Sequence, residues 1–199
     1  DDAEPFVLDA RKLRGVMSFG MLAAGDELAI NSNHDGIIEL TERDLPPELE
    51  GRGLAVGQDF AELFGLDDTI IEIENKMFTH RPDCFGQLGV AREISAILGG
   101  VTAPDEGVVD TRFENPEWYQ APPEFESATG LKLETFNDAG EKVPRVMFVA
   151  MDNVEIKPSP LWLQCRLVAM GSKAINNVVD ATNYVMLMSA QPTHAYDYD

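Results

Sequence analysis

The densest group of chemically capable side chains lies between residues 173 and 197. Asn176, Asn177, Asp180, Thr182, Asn183 and Tyr184 crowd a stretch that otherwise reads as a buried helix. His194 follows Pro192 in a short non-helical segment, where an imidazole could face a ligand. Polar groups packed this closely need partners once buried, so the pattern points either to an internal hydrogen-bond network or to a pocket. A lone histidine beside it also suits a purely structural role.

A second group is basic. Arg11, Lys12 and Arg14 place three cations within four residues, and a glycine-spaced strand with Phe19 follows. On the rim of a β-barrel such cations could contact phosphates while Phe19 stacks on a base. Chemistry alone favours the plainer reading, a basic turn with Phe19 in the core. His80 and Cys84 have the i,i+4 spacing of helical metal ligands, but a structural zinc needs four such groups. His34, Cys165 and His194 are all remote in sequence, so no metal site is expected. Phosphate-loop, nucleophile-elbow and HExxH patterns are absent, and Gly86-Gln87-Leu88-Gly89 lacks the third glycine of a dinucleotide fingerprint.

The elements that must position these groups are of mixed type. Residues 6–8, 20–22, 27–30 and 37–40 read as short strands separated by Gly, Asn and Asp turns, the expected remainder of a small β-barrel. Residues 69–73 have the length and β-branched content of a strand. A helix is expected from Pro82-Asp83 to a stop at Gly99-Gly100, with Phe85, Leu88, Ala91, Ile94, Ile97 and Leu98 near helical spacing. Residues 103–123 are acidic and rich in Pro and Gly, the best candidate linker, with Trp118-Tyr119 able to pin it to a surface.

Farther on, residues 144–151 form a nearly continuous apolar run, read as a strand buried on both faces. Ser159 as N-cap and Pro160 as first helical residue open a helix that Gly171 closes. Its apolar face comprises Leu163, Leu167 and Met170, joined by Trp162. A further helix falls within 177–188 and stops before Pro192.

Composition bounds the rest. The 199 residues are 44% apolar, enough for a packed core, and no apolar run reaches membrane-spanning length. The start, Asp1-Asp2-Ala3-Glu4-Pro5, lacks the character of a secretory signal. Two distant cysteines, Cys84 and Cys165, fit reduced thiols in a cytoplasmic protein. Thirty-five acidic against 15 basic side chains give −20, which repels polyanions over most of the surface. Any RNA contact must therefore use a local basic patch or a partner chain.

Three segments, in order, resemble the β subunit of bacterial phenylalanyl-tRNA synthetase. Residues 11–40, with KLRGVMSFGML and HDGIIEL, are similar to the later part of its OB-type tRNA-binding domain. Residues 79–98, THRPDCFGQLGVAREISAIL, resemble the RPDC-containing helix of the following domain. Residues 158–199 resemble the opening of the editing module, and this match is the most specific. The resemblance implies a mixed α/β multi-domain chain. An OB-type barrel remnant would occupy 1–50 and a small α/β domain 51–103. A linker over 104–125 and the N-terminal part of the editing module over 126–199 would follow.

The family's (αβ)₂ heterotetramer attaches phenylalanine to its tRNA using ATP and magnesium, with activation in the α subunit. The β subunit hydrolyses tyrosine mischarged on that tRNA. By position, the resemblance makes Lys173, Thr182, Asn183 and His194 the editing residues, and Arg11, Lys12, Arg14 and Phe19 the tRNA contacts. His194 and Asn183 would orient the ester or its attacking water, and Lys173 would approach the terminal adenosine. Many members have arginine at Lys173, and lysine keeps the charge but loses the planar fork. Thr193 stands where an apolar residue is usual.

The chain is expected to start inside the barrel and to end at Asp199 before the editing module is complete. It should bind neither ATP nor magnesium itself, and alone should neither charge nor proofread tRNA. The rival readings are a free-standing tRNA-binding module, which leaves residues 158–199 unexplained, and an editing protein acting in trans.

Overall fold

The computed structural model describes residues 7–99, 112–116 and 130–199. It is a mixed α/β structure whose described residues hold one two-stranded sheet and four α-helices. The helices are α1 (Phe60–Phe64), α2 (Gln87–Ile97), α3 (Leu161–Ala169) and α4 (Asn177–Ser189). The chain falls into two interleaved units, one of Asp1–Ile71 with Ser159–Ile175 and one of Glu72–Pro158 with Asn176–Asp199.

In the first unit the sheet is a hairpin, β1 (Arg11–Leu13) antiparallel to β2 (Val16–Ser18), with Leu13 opposite Val16. Arg14 and Gly15 form its two-residue loop at φ 46° and 91°. Positive φ at both positions is the primed-turn geometry whose twist matches the flanking strands. The strands expected at 20–22, 27–30 and 37–40 are not formed, nor are residues 7 and 8 of 6–8 in a strand, while residue 6 lies outside the described residues. Around 27–30 the chain coils instead. The Gly25 carbonyl accepts the Ile30 and Asn31 amides at 3.0 and 3.4 Å, and the Glu27 carboxylate accepts the Ala24 amide at 2.8 Å. These local bonds take up the backbone groups that a strand ladder would have used.

The core of this unit is Ile30, Phe64, Leu161 and Cys165, flanked by Ile38, Leu40, Phe60, Leu63 and Trp162. Helix α3 supplies much of it: Leu161, Leu163, Gln164, Cys165 and Leu167 are all buried. Its start differs by one residue from the expected one, because Pro160 is the N-cap and Leu161 the first helical residue. The Pro160 N-cap offers no side-chain capping bond. The Asp44 carboxylate accepts the Leu161 amide at 3.1 Å through one oxygen, while the other takes the Thr41 amide and hydroxyl at 3.0 and 2.7 Å. One carboxylate thus satisfies helix-end donors on segments 117 residues apart, with the charge that a helix N-terminus favours. Gly171, at φ 75°, follows the last turn as expected.

In the second unit the helix expected from Pro82 is broken. Residues Lys76–His80 and Pro82–Phe85 form two 3₁₀ turns, Gly86 is extended at φ −126° and ψ 155°, and only then does α2 begin. The interruption has a packing cause. A Cβ on Gly89 would overlap the Asp83 carbonyl, and one on Gly86 would overlap the Ala190 amide at the end of α4. Each glycine lets a backbone approach that no side chain permits. The expected apolar face is also mostly exposed: Leu88 is buried, whereas Phe85, Ile94, Ile97 and Leu98 are not.

The apolar run 144–151 and the segment 69–73 are not in strands, and the side chains of Val146, Phe148, Ile70 and Ile71 are exposed. Composition marks such segments as extended, but a strand also requires a partner backbone. Among the described residues only β1 and β2 find one. Of the expected linker, residues 112–116 are described; Trp118 and Tyr119, like Gly100, lie outside the described residues. Phe113 is joined to α2, its amide bonded to Ser95 Oγ at 3.0 Å and its ring 5.0 Å from the Arg92 guanidinium carbon.

Candidate functional site

Helix α4 and its N-cap carry the polar cluster, and three of its members, Asn176, Asn177 and Thr182, satisfy backbone groups. Asn176 is the N-cap, accepting the Val178 and Val179 amides at 3.1 and 3.0 Å. Asn177 acts as a splint for an adjoining extended segment. Its amide nitrogen donates to the Glu155 carbonyl at 3.0 Å, its side-chain oxygen accepts the Lys157 amide at 3.1 Å, and its own backbone amide donates to the Lys157 carbonyl at 2.9 Å. Asp180 is fully buried. No buried side-chain nitrogen or oxygen among the described residues lacks a hydrogen-bond partner.

The expected editing residues divide between the units. Lys173 is exposed and belongs to the first. Thr182, Asn183 and His194 belong to the second, where Thr182 and Asn183 are half-buried and His194 is exposed. The Thr182 hydroxyl donates to the Val179 carbonyl at 2.7 Å, a bond within the helix. Its carbonyl accepts the Thr193 hydroxyl at 2.9 Å. That bond joins the segment bearing His194 to the turn of α4 bearing Thr182 and Asn183. The His194 and Tyr196 rings lie 6.3 Å apart and tilted.

Sequence reasoning did not assign Thr193 or Tyr198 a role. The signal available was position: both flank His194 in a stretch with no periodicity of its own, where side chains must do the fastening.

The RPDC segment is organised around one guanidinium. Arg81 grips Asp83 with two nitrogens at 3.0 and 2.9 Å and reaches Glu93 of α2 at 2.9 Å. These hydrogen bonds hold the Asp83 carboxyl below the ordinary carboxylate range and raise Arg81 further above its already high value. The fork thereby ties the 3₁₀ turn to α2. His80 is exposed while Cys84 is buried. Among the described residues no group of three or more His, Cys, Asp or Glu converges as a metal site.

The basic hairpin is fully presented. Arg11, Lys12 and Arg14 are exposed, and Phe19 is 80% exposed rather than in a core. The plainer reading of Phe19 is thus corrected, because among the described residues no second layer covers the two-stranded hairpin to bury it. A shallow apolar groove of about 270 Å³ lies elsewhere in the first unit, lined by Leu40, Leu54, Val56, Phe60 and Leu63. None of the described helices is long and apolar enough to cross a membrane.

Comparison with known proteins shows what the chain is similar to. The B3/4 domain family model matches residues 142–199, which include α3, α4 and the His194 segment. The phenylalanine–tRNA ligase beta subunit of Solibacter usitatus is 41% identical over 186 residues, covering 93% of this chain and 20% of that protein. The beta subunit of Desulfotalea psychrophila is 37% identical, covering 97% of this chain and 20% of its own length. For Thermotoga maritima the identity is 36%, over 96% of this chain and 21% of the relative. The chain spans about one fifth of the length of the curated relatives it matches. Over more than nine-tenths of its length it is similar to bacterial phenylalanine–tRNA ligase β subunits, and its C-terminal part matches the B3/4 domain family.

Proposed function

We propose that the chain serves within a phenylalanyl-tRNA synthetase β subunit, supporting ATP-dependent charging of tRNA with phenylalanine and hydrolytic removal of mischarged tyrosine. The observation that carries this reading is the match across 93% of the chain. The B3/4 segment containing His194 adds to it. An α subunit, in an α₂β₂ assembly in the cytoplasm, supplies the ligase chemistry with ATP and magnesium. Among this chain's described residues no three His, Cys, Asp or Glu side chains converge as a metal site. The OB-type barrel remnant and the opening of the editing module are the domain identities that accompany this reading.

In the editing step, His194 and Asn183 orient the tyrosyl ester or its attacking water, from a helix and a segment that the Thr193–Thr182 bond ties together. Thr182 shapes that turn of the helix, and Lys173 provides positive charge for the tRNA's terminal adenosine. Tyrosine differs from phenylalanine by one hydroxyl, and a polar editing site discriminates by holding that hydroxyl.

Because the chain spans one fifth of its relatives, activity is assigned to the complete subunit with its partner. In that enzyme, His194→Ala is expected to slow tyrosyl-tRNA hydrolysis about 100-fold or more while phenylalanine charging persists. Unchanged hydrolysis in both His194→Ala and Asn183→Ala enzymes would sink the site assignment. Tyrosyl-tRNA hydrolysis by the 199-residue chain alone would instead show that the rest of the subunit is dispensable.

The exposed hairpin supports a second role in the same function, contact with tRNA through Arg11, Lys12, Arg14 and Phe19. With a net charge of −20, these local cations must act against a repulsive field. Replacing the three cations by glutamine should weaken tRNA binding and flatten its dependence on salt by about 2–3 in log–log slope. An unchanged slope removes the hairpin from the interface.

A further inference from the structure

The segment 191–199 carries His194 with no helix or strand to hold it. Its order comes from side chains. On one side the Thr193 hydroxyl donates to the Thr182 carbonyl at 2.9 Å. On the other, the Tyr198 hydroxyl donates to the Lys132 carbonyl at 2.9 Å and accepts the Lys132 amide at 3.3 Å. His194 hangs between these fasteners, one residue from the first and four from the second.

We propose that Thr193 is a positioning residue for His194, its hydroxyl locking the imidazole-bearing backbone to the turn of α4 that presents Asn183. The inference rests on the editing reading above and deepens it.

Three features of the bond support this role. Its acceptor is the backbone carbonyl of the residue directly before Asn183, so the restraint acts at the helix turn in question. A threonine side chain has a single stiff torsion between hydroxyl and backbone, so anchoring the oxygen anchors the main chain of residue 193 and the start of 194. Thr193 is also half-buried and its bond part-buried, while His194 is exposed, which leaves the ring free to meet a substrate. Misplacing a reacting group by a fraction of an ångström lowers turnover without weakening substrate binding in proportion.

The test uses the complete synthetase with its α subunit and three enzymes: wild type, Thr193→Val and Thr193→Ser. Valine keeps the shape and removes the donor; serine keeps the donor. Thr193→Val should lower kcat for tyrosyl-tRNA hydrolysis about five- to tenfold, the range for loss of one hydrogen bond, with KM and phenylalanine charging unchanged. Thr193→Ser should stay within about twofold of wild type. The proposal is overturned if Thr193→Val hydrolyses as wild type does, if serine fails to rescue, or if charging falls in step with hydrolysis, which marks a general structural role. A wild-type enzyme that hydrolyses no tyrosyl-tRNA overturns the editing reading, and this inference with it.

Discussion

Helices α3 and α4 are separated in sequence by seven residues, 170–176, yet they are held in place by opposite means. Helix α3 turns Leu161, Leu163, Cys165 and Leu167 inward and draws its stability from apolar burial. Helix α4 has a single fully buried residue, Asp180, and is tied to neighbouring segments by hydrogen bonds from Asn177 and Thr193, with Asn176 capping its first turn. Apolar burial is non-directional and tolerates small shifts, whereas a hydrogen bond fixes angle as well as distance. A helix placed by hydrogen bonds suits a site that must orient a substrate. A helix placed by burial suits a scaffold. The expected editing residues Thr182 and Asn183 sit on the former.

The contrast can be broken first at Leu167, which is 0% exposed. Leu167→Ala should destabilise by about 3–5 kcal/mol, read from the shift in urea midpoint. A loss below about 1 kcal/mol would mean that α3 is not held by its core.

Cys165 offers a pH test of the same burial. Desolvation raises its thiol from 9.0 to about 11. A folded-state value above the unfolded one stabilises fully below pH 9 and is lost as pH rises toward 11. The native protein should therefore lose roughly 2 kcal/mol over that window relative to a Cys165→Ala reference, and the thiol should resist disulfide reagents until the chain unfolds. Identical pH profiles for the two proteins would show that the thiol is hydrated.

On α4 the expected effects are smaller. Asn176→Ala removes the acceptor of two helix amides and should cost about 1 kcal/mol, with Asn176→Asp largely preserving stability. An apolar-core penalty of the size expected at Leu167 would erase the contrast. Smallest is Ala190, left-handed at φ 60° and donating its amide to the Met186 carbonyl at 2.8 Å. Ala190→Gly relieves that conformation and should add about 0.5–1 kcal/mol, provided the packing on Gly86 is kept. A loss of stability would show that the alanine methyl packs more than it strains.

Helix α4 was legible in the sequence because its signals are local: the span expected within 177–188 matches Asn177–Ser189. Gly171 announced the end of α3 for the same reason. Of the expected strands, the glycine-spaced one after Arg14 is met by β2 (Val16–Ser18), and the others were not legible. Residues 144–151 have strand composition, but pairing depends on a backbone distant in the chain, and periodicity names a face without naming a partner. The interruption at Gly86 was equally hidden, because the helical spacing runs straight through it while its cause is the approach of the α4 terminus.

The candidate site divides the same way. Its residue types, His194 after Pro192 and the amide-rich helix before it, stand in the chain and carry the family resemblance. That Asn176 and Asn177 are spent on backbone, that Thr193 ties its segment to the Thr182 carbonyl, and that Phe19 faces solvent are facts of tertiary structure. The sequence by itself determined the resemblance to synthetase β subunits, the helix-forming stretches and the chemical inventory, because these are read from residue types and their order along the chain. Tertiary structure alone decided which polar groups are satisfied and which remain exposed, because hydrogen bonding and burial depend on residues brought together from far along the chain, as Asp44 and Leu161 are across 117 positions.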